Sequence, residues 1–338
     1  MEKYPINFAP LQGYTEDVYR RLHNEIFGSV DAYYSPFVRL EHGKVRSKDM
    51  RDIRPEFNEG VNLVPQIIAR DSEEMQTLLD VILPLGYKEI DINMGCPFPL
   101  QTKHGRGAGL LESPEKVRQM MEMVKRTESV SFSVKMRLGL NDEDDWKSIL
   151  PILNDTPLHH VTIHPRIAQQ QYKGNVNMAA FDAFLESSTH PVIYNGDILT
   201  LEDIKALEDR YGNRLHGIMI GRGLLARPSL AWEYANDVKL SDAELLEKIF
   251  LMHDKLREHY AKIIPGEAQQ LSKLRTFWDY LEPTIGRKQW KKIVKAGNMK
   301  NYVFTFALYA KTLQSLLADF CPCCRCEPPA PLPFELQG

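Results

Sequence analysis

Cys96 stands in the run Asn93-Met94-Gly95-Cys96-Pro97, at the end of an apolar, strand-like stretch, and no other cysteine precedes Cys321. A thiol at a strand end, followed by a proline that stops the strand, can project into a pocket as a nucleophile or proton donor. A lone cysteine is more often a small buried hydrophobe, so the reading depends on its neighbours. Polar residues also close the other apolar stretches: Gln12 beyond the first, Gln66 in the third, Asn93 in the fourth, Lys135 and Arg137 in the fifth. His164 and Arg166 follow in the sixth, Asn195 and Asp197 at the seventh, and Arg222 after the eighth. One inward lysine or histidine is usually structural. A ring of them is not, because burying so many polar groups without a ligand is costly.

The elements that must position these groups follow from the pattern. Eight short segments rich in apolar and β-branched residues recur at 6–11, 32–38, 63–69, 89–95, 131–138, 160–165, 191–196 and 217–221. Helix-like stretches lie between most of them, at 72–85, 113–127 and 200–211, the last opened by Thr200 with Asp203 three residues on. Eight strands alternating with helices predict an α/β protein with a (β/α)8 barrel, whose active site gathers at the C-terminal strand ends. A doubly wound sheet is the alternative. Gly105-Arg106-Gly107-Ala108-Gly109 is superficially like a dinucleotide turn, but Pro97 and Pro99 separate it from the strand and its spacing is wrong.

After residue 240 the pattern turns wholly helical, at 242–263, 267–281, 287–295 and 302–317, with breaks at Pro265-Gly266, Pro283 and Gly297-Asn298. The expected organisation is a catalytic barrel over 1–240, a helical domain over 241–320, and a Cys- and Pro-rich tail over 321–338 expected to be disordered. The tail's Cys321, Cys323, Cys324 and Cys326 are spaced too tightly to wrap one tetrahedral metal with ease, so no metal site is assigned.

The net charge of −3 is unevenly spread. Over 286–300 the chain carries Arg287, Lys288, Lys291, Lys292, Lys295 and Lys300 with no acidic residue. Such a face is usually only solvated, but it can also grip a polyanion. The chain has no apolar run of about 18 residues, which speaks against a membrane partner, and no signal-like start. Five cysteines, four of them crowded together, make no disulfide framework, so a reducing cytoplasm is expected.

Asn195-Gly196-Asp197 and Gly221-Arg222-Gly223 follow strands seven and eight, where barrels commonly bind a phosphate through loop amides and a short helix N-terminus. Lys135, across from them, can hold the electron-rich edge of a ring, as flavin enzymes do near N1 of the reduced isoalloxazine. FMN is therefore the leading cofactor.

With these residues in view, the chain resembles the tRNA-dihydrouridine synthase family. The motifs are Ala9-Pro10-Leu11-Gln12-Gly13-Tyr14-Thr15-Glu16, Gln66, Asp91-Ile92-Asn93-Met94-Gly95-Cys96-Pro97 with Gly109-Leu110-Leu111, Val134-Lys135-Met136-Arg137-Leu138-Gly139, His164-Pro165-Arg166, Asn195-Gly196-Asp197-Ile198 and Gly221-Arg222-Gly223. They keep the family's order over residues 6–230. The chain departs from the family's usual pattern at Leu11 (Met), Glu16 (Asp) and Pro165 (often Gly). Phe37-Val38-Arg39 is similar to the bacterial C-type synthases, which act on position sixteen of the D-loop.

The resemblance implies roles residue by residue. Pro10 and Leu11 would meet the flavin through backbone, Gln66 and Lys135 its pyrimidine edge, His164 the flavin as well, and Asn195, Gly196, Asp197, Gly221 and Arg222 the ribityl phosphate region. Asn93, Arg137 and Arg166 would contact substrate, and Arg287, Lys288, Lys291 and Lys292 the tRNA. NADPH would reduce FMN, a hydride would pass from flavin N5 to uracil C6, and Cys96 would deliver a proton to C5. A thiol with a reference pKa of about 8.5 is already protonated at neutral pH. The target base has to leave its stack to reach a barrel mouth, and the basic residues of the segment 39–54 could add backbone contacts. No obligatory protein partner is inferred. Two other readings compete: a different FMN barrel that reduces a small molecule without RNA, and a non-catalytic tRNA-binding or RNA-folding protein.

Overall fold

The computed structural model describes residues 3–320, with side chains to residue 310. The Cys- and Pro-rich tail expectation therefore lies outside the described residues. Eight parallel strands form the core: β1 (Ile6–Phe8), β2 (Ala32–Tyr34), β3 in two pieces (Leu63–Val64 and Gln66–Ile67), β4 (Glu89–Met94), β5 (Ser131–Gly139), β6 (Leu158–Ile167), β7 (Val192–Asn195) and β8 (Gly217–Ile220). Pro65, which has no N–H for the ladder, splits β3.

The sheet closes through that split. Leu63–Val64 pairs with β2 and Gln66–Ile67 pairs with β4, so the strand order begins and ends on the same stretch of chain. Every pairing around the ring is parallel. The (β/α)8 barrel expected from the alternation is the observed fold. Apolar residues alternate with polar ones along its longer strands, and helices cover the outer faces; Ile92, Val134, Ile163 and Ile218 are fully buried.

Helices follow the strands in turn. The cap read at Thr200 is a full capping box: Asp203 N–H donates to Thr200 Oγ1 at 3.2 Å and Thr200 N–H to Asp203 Oδ2 at 2.9 Å. Three helices that the periodicity left unmarked, Asp17–Ile26, Trp146–Asn154 and Met178–Ser187, complete the alternation.

Beyond the barrel the chain is helical, with Asp242–Ile263, Glu267–Trp278, Glu282–Ile285, Arg287–Val294 and Met299–Phe320. Their core is aromatic: the Tyr302 hydroxyl lies 2.7 Å from His253 Nε2 and accepts the Trp278 indole N–H at 2.7 Å. The first of these helices packs on Asp17–Ile26, and Lys255–Glu25 (2.6 Å) and Lys273–Glu16 (2.5 Å) tie the helical region to the barrel.

Candidate active site

A cleft of about 270 Å³ opens at the C-terminal ends of the strands. Cys96, Asn93, Arg137, Gln12 and all ten expected cofactor contacts line it: Pro10, Leu11, Gln66, Lys135, His164, Asn195, Gly196, Asp197, Gly221 and Arg222. The short β4–helix loop holds Cys96 through main chain. Its N–H donates to Asn93 Oδ1 at 2.8 Å, and its carbonyl accepts Ala108 N–H at 3.1 Å. Gly107, at φ +58°, passes so close beneath that an added Cβ would lie 2.8 Å from Cys96 Cβ. The glycine-rich run after Cys96 is thus a floor for the thiol, and Arg106 within it pairs with Glu74 at 2.6 Å. Burial pushes the Cys96 thiol up, against smaller opposing effects that include Arg137 and Lys135, so it stays protonated.

A chain of buried amides runs behind the cysteine. Ser133 Oγ and Gln66 Nε2 donate to the two oxygens of Asp91 at 2.9 and 2.6 Å, and Asn93 Nδ2 donates to Gln66 Oε1 at 2.8 Å. Asn93 in turn accepts Gly95 N–H and Cys96 N–H on its carbonyl oxygen. Asp91 thereby fixes the amide orientations of Gln66 and Asn93, and through them the turn that carries the thiol. Burial raises the Asp91 carboxyl to about 7, against the lowering effect of its two donors. The motif containing Asp91 gave it no role of its own.

The neighbouring wall is cationic. Lys135 Nζ donates to Asn195 Oδ1 at 2.9 Å, and burial lowers the ammonium to about 8. An ammonium has three donors, and among the described residues this one makes a single hydrogen bond, so it is set to meet an acceptor-rich ligand edge. Arg137 is fixed on the carbonyls of Gly95 and Ile167, both at 3.0 Å. Arg166 donates to His164 Nε2 at 3.0 Å; a guanidinium can only donate, and burial holds the imidazole neutral, so the proton sits on Nδ1.

Asp197 organises the β7 loop. Arg166 and Arg222 both pair with it, the latter at 2.8 Å, and it sits in left-handed backbone at φ +46°. Gly223 follows where a Cβ would lie 2.1 Å from Ile198 O, so only glycine lets the β7 and β8 loops meet. This close approach, with the Arg222 charge beside it, fits a phosphate monoester, and the underpartnered Lys135 fits a ring edge; together the donors suit FMN.

Two groups of expected contacts fall outside the cleft. Arg166 is 1% exposed and reaches it only through His164 and Asp197. Arg287, Lys288, Lys291 and Lys292 lie on the helix Arg287–Val294, exposed, with buried Ile293 facing inward and Trp290 anchored by its N–H to Trp278 O at 2.8 Å. By contrast, much of the 39–54 charge is already matched: Arg39 and Arg46 face Asp49, and Lys48 pairs with Glu16 at 2.7 Å.

Sequence reasoning missed the aromatic rim. Tyr172 lies under Arg222, with 4.5 Å from the guanidinium carbon to the ring centre, and 5.6 Å from Arg137. Tyr280 comes from the helical region, packs edge-on against Tyr14 at 5.1 Å and lines the cleft, while the Tyr14 hydroxyl donates to Asp279 at 3.1 Å. No local spacing signals these residues, because they meet only after the chain has folded.

Among solved structures, the barrel is similar to an old yellow enzyme homologue from Zymomonas mobilis (TM-score 0.50, 12% identity, 71% of this chain and 92% of that one). It is also similar to a 2-naphthoyl-CoA reductase complex (TM-score 0.52, 9% identity, 69% and 50%). These likenesses bear on the fold alone. In sequence, the chain is 28% identical over 335 residues to a tRNA-dihydrouridine(16) synthase of Neisseria meningitidis serogroup B, covering 94% of this chain and 95% of that one. It is 28% identical over 261 residues to a probable tRNA-dihydrouridine synthase 2 of Bacillus subtilis, covering 75% and 78%. The model of the dihydrouridine synthase (Dus) family matches residues 7–314. A match running almost end to end agrees with the resemblance carried by the motifs: the chain belongs to the dihydrouridine synthase family, whose members are tRNA-modifying oxidoreductases.

Proposed function

We propose that the protein reduces a uridine in the tRNA D-loop to 5,6-dihydrouridine, with FMN as resident cofactor, NADPH as reductant and position sixteen as target. The observation that carries the reading is a protonated thiol, Cys96, in the same cleft as a buried, underpartnered ammonium, Lys135. FMN would be held by Pro10, Leu11, Gln66, Lys135 and His164 along its ring system and by Asn195, Gly196, Asp197, Gly221 and Arg222 toward its phosphate. When bound and reduced, it supplies the hydride that uracil C6 accepts. Cys96 Sγ holds the proton destined for C5, and Asn93 and Arg137 orient the uracil beside it. Arg166 acts from behind, donating to His164 Nε2 and holding Asp197 in place.

The barrel over 1–240 would carry the chemistry, and the helical region over 241–320 would carry tRNA. The exposed row Arg287, Lys288, Lys291 and Lys292 supports that assignment, since phosphate contacts supply most of the affinity for folded RNA. Tyr280, Tyr172 and the half-exposed Phe98 offer faces on which an extruded base can stack. The near-complete overlap with the Neisseria synthase, and the position in that enzyme's name, support position sixteen. No described helix is long and apolar enough to cross a membrane. A tRNA substrate would place the protein in the cytoplasm.

The test is to incubate purified protein with NADPH and unmodified tRNA and to map dihydrouridine. Dihydrouridine at position sixteen is expected. Modification at another D-loop position would overturn the site assignment, and NADPH-dependent turnover of a small enone with untouched tRNA would overturn the reading as a whole.

A further inference from the structure

The opposite end of the barrel holds a second cluster of chemistry-bearing side chains. Glu89 is the first residue of β4, His159 and His160 lie at the start of β6, and His216 stands just before β8. All are at the N-terminal ends of parallel strands, away from the cleft. We propose that Glu89, His159 and His160 form a binding site for a divalent transition metal, with the chemistry of zinc, on the barrel floor.

The geometry points to this in three ways. The ring nitrogens His159 Nδ1 and His160 Nδ1 face each other at 2.9 Å, and the Glu89 oxygens lie 3.5 Å from the first and 3.6 Å from the second. Tetrahedral zinc with bonds of about 2.0–2.1 Å sets its ligand atoms about 3.3–3.4 Å apart, a spacing that falls between the shortest and longest of these contacts. Two neutral imidazoles and a carboxylate, with a fourth position left for water, are an ordinary zinc donor set.

The backbone is built to bring two consecutive histidines together. Adjacent residues of a regular strand point to opposite faces, so neighbouring rings should diverge. Between the pairs Phe132↔Leu158 and Val134↔Val161, however, β5 spends one residue, Ser133, and β6 spends two, His159 and His160. This is a β-bulge, a device that re-aims side chains, and the re-aimed ones are the two ligands.

The surroundings supply the remaining features of a metal site. Tyr34 on β2 lies 3.1 Å from His160 Nε2, so that nitrogen can donate its proton to the hydroxyl and leave the Nδ1 lone pair toward the cluster; ligating histidines are commonly oriented in this way. Glu89 Oε1 is buried and has no hydrogen-bond partner among the described residues. His159 is 50% exposed, which gives an ion access, while His160 is 2% exposed and fixed. His216 stacks on His160 with ring centres 6.3 Å apart and closes the far side. β4 and β6 are separated by β5, so a metal here would cross-link strands that share no hydrogen bonds.

The test uses the full chain with Cys321, Cys323, Cys324 and Cys326 replaced by serine, so that tail thiols cannot contribute. The protein is stripped with chelator and titrated with Zn2+ against a chromophoric competitor. One equivalent should bind, and Zn2+ should raise the melting temperature. Glu89→Gln and His159→Ala should each weaken binding by about tenfold or more, and Tyr34→Phe by about 10- to 100-fold. Should Glu89→Gln fail to fold, His159→Ala at its half-exposed position decides the matter. Co2+ in place of Zn2+ should give a visible spectrum without thiolate charge transfer. Absence of stoichiometric binding, or affinity unchanged in the folded variants, would mean a histidine pair sharing one proton and no metal site.

Discussion

Replacing Cys96 with alanine separates the thiol's chemical role from a packing role. The sulfur meets the Phe98 main chain, while the bonds that hold the turn run through the Cys96 N–H and carbonyl, and alanine keeps both of these. Loss of one buried sulfur should cost about 1 kcal/mol of stability. A missing general acid costs about 10²–10⁴ in rate, or about 2.7–5.4 kcal/mol of barrier. The two effects differ enough to be told apart. Cys96→Ala should therefore keep FMN, tRNA affinity and flavin reduction by NADPH, yet fail when the prereduced enzyme is mixed with tRNA and flavin oxidation is followed in a single turnover. Cys96→Ser should recover little, since a hydroxyl is a far weaker acid. Because burial raises the thiol above its ordinary range, the wild-type rate should hold through neutral pH and fall only above the raised value, a limb the alanine variant lacks. A near wild-type rate in Cys96→Ala would refute the proton-donor role; loss of flavin or of folding would mark the cysteine as structural.

Asp91→Asn puts an amide where a carboxylate accepts two buried donors, so single-turnover rate should fall by about 10- to 100-fold through misplaced Gln66 and Asn93, from a loss of about 1.5–3 kcal/mol. Because burial raises Asp91 to about 7, the wild-type fold should lose stability as pH rises from the usual aspartate range through about 7, and urea melts of Asp91→Asn at pH 5 and pH 8 should lack that slope. Lys135→Met should weaken FMN binding measured by fluorescence, and in the wild type affinity should decline as pH rises through about 8, where the ammonium discharges. Neutralising Arg287, Lys288, Lys291 and Lys292 together should weaken tRNA binding and flatten its log–log salt dependence by about 0.7–0.9 for each RNA phosphate the protein no longer neutralises, with the flavin spectrum unchanged; an unaltered slope would leave that helix merely solvated.

The barrel was legible because each strand announces itself locally. Ile90 and Ile92 flanking Asp91, Phe132 and Val134 flanking Ser133, and the apolar run 218–220 are recognisable without knowing their neighbours. The helix Asp242–Ile263 has the bounds expected for it, with the Pro265-Gly266 break just beyond its end, and Ser241 caps its start. Trp146–Asn154 went unmarked because an acidic run precedes it and Pro151 sits inside it. At the site, residues at strand ends were readable because the topology dictates where such ends converge. Tyr172 and Tyr280 were not, since one lies in a loop and the other in a turn between two helices more than 250 residues after Tyr14. The Arg166 side chain turns back into an ion pair with Asp197 and is not among the residues lining the cleft, a placement its motif does not disclose.

The seam between barrel and helices has a consequence for engineering and for divergence. Tyr280 forms part of the cleft wall, Asp279 holds Tyr14, Lys273 holds Glu16, and Thr284 Oγ1 donates to Ala226 O at 2.6 Å beside the Arg222 loop. The helical region, proposed to hold tRNA, and the barrel therefore share a wall, and the two should not exchange as independent modules. On the proposed assignment, a chimera carrying a relative's helical region on this barrel would inherit an altered cleft along with any new address on tRNA. Target position and turnover would then change together, and a lineage that shifts its target uridine would have to retune Tyr14, Glu16 and their partners in step.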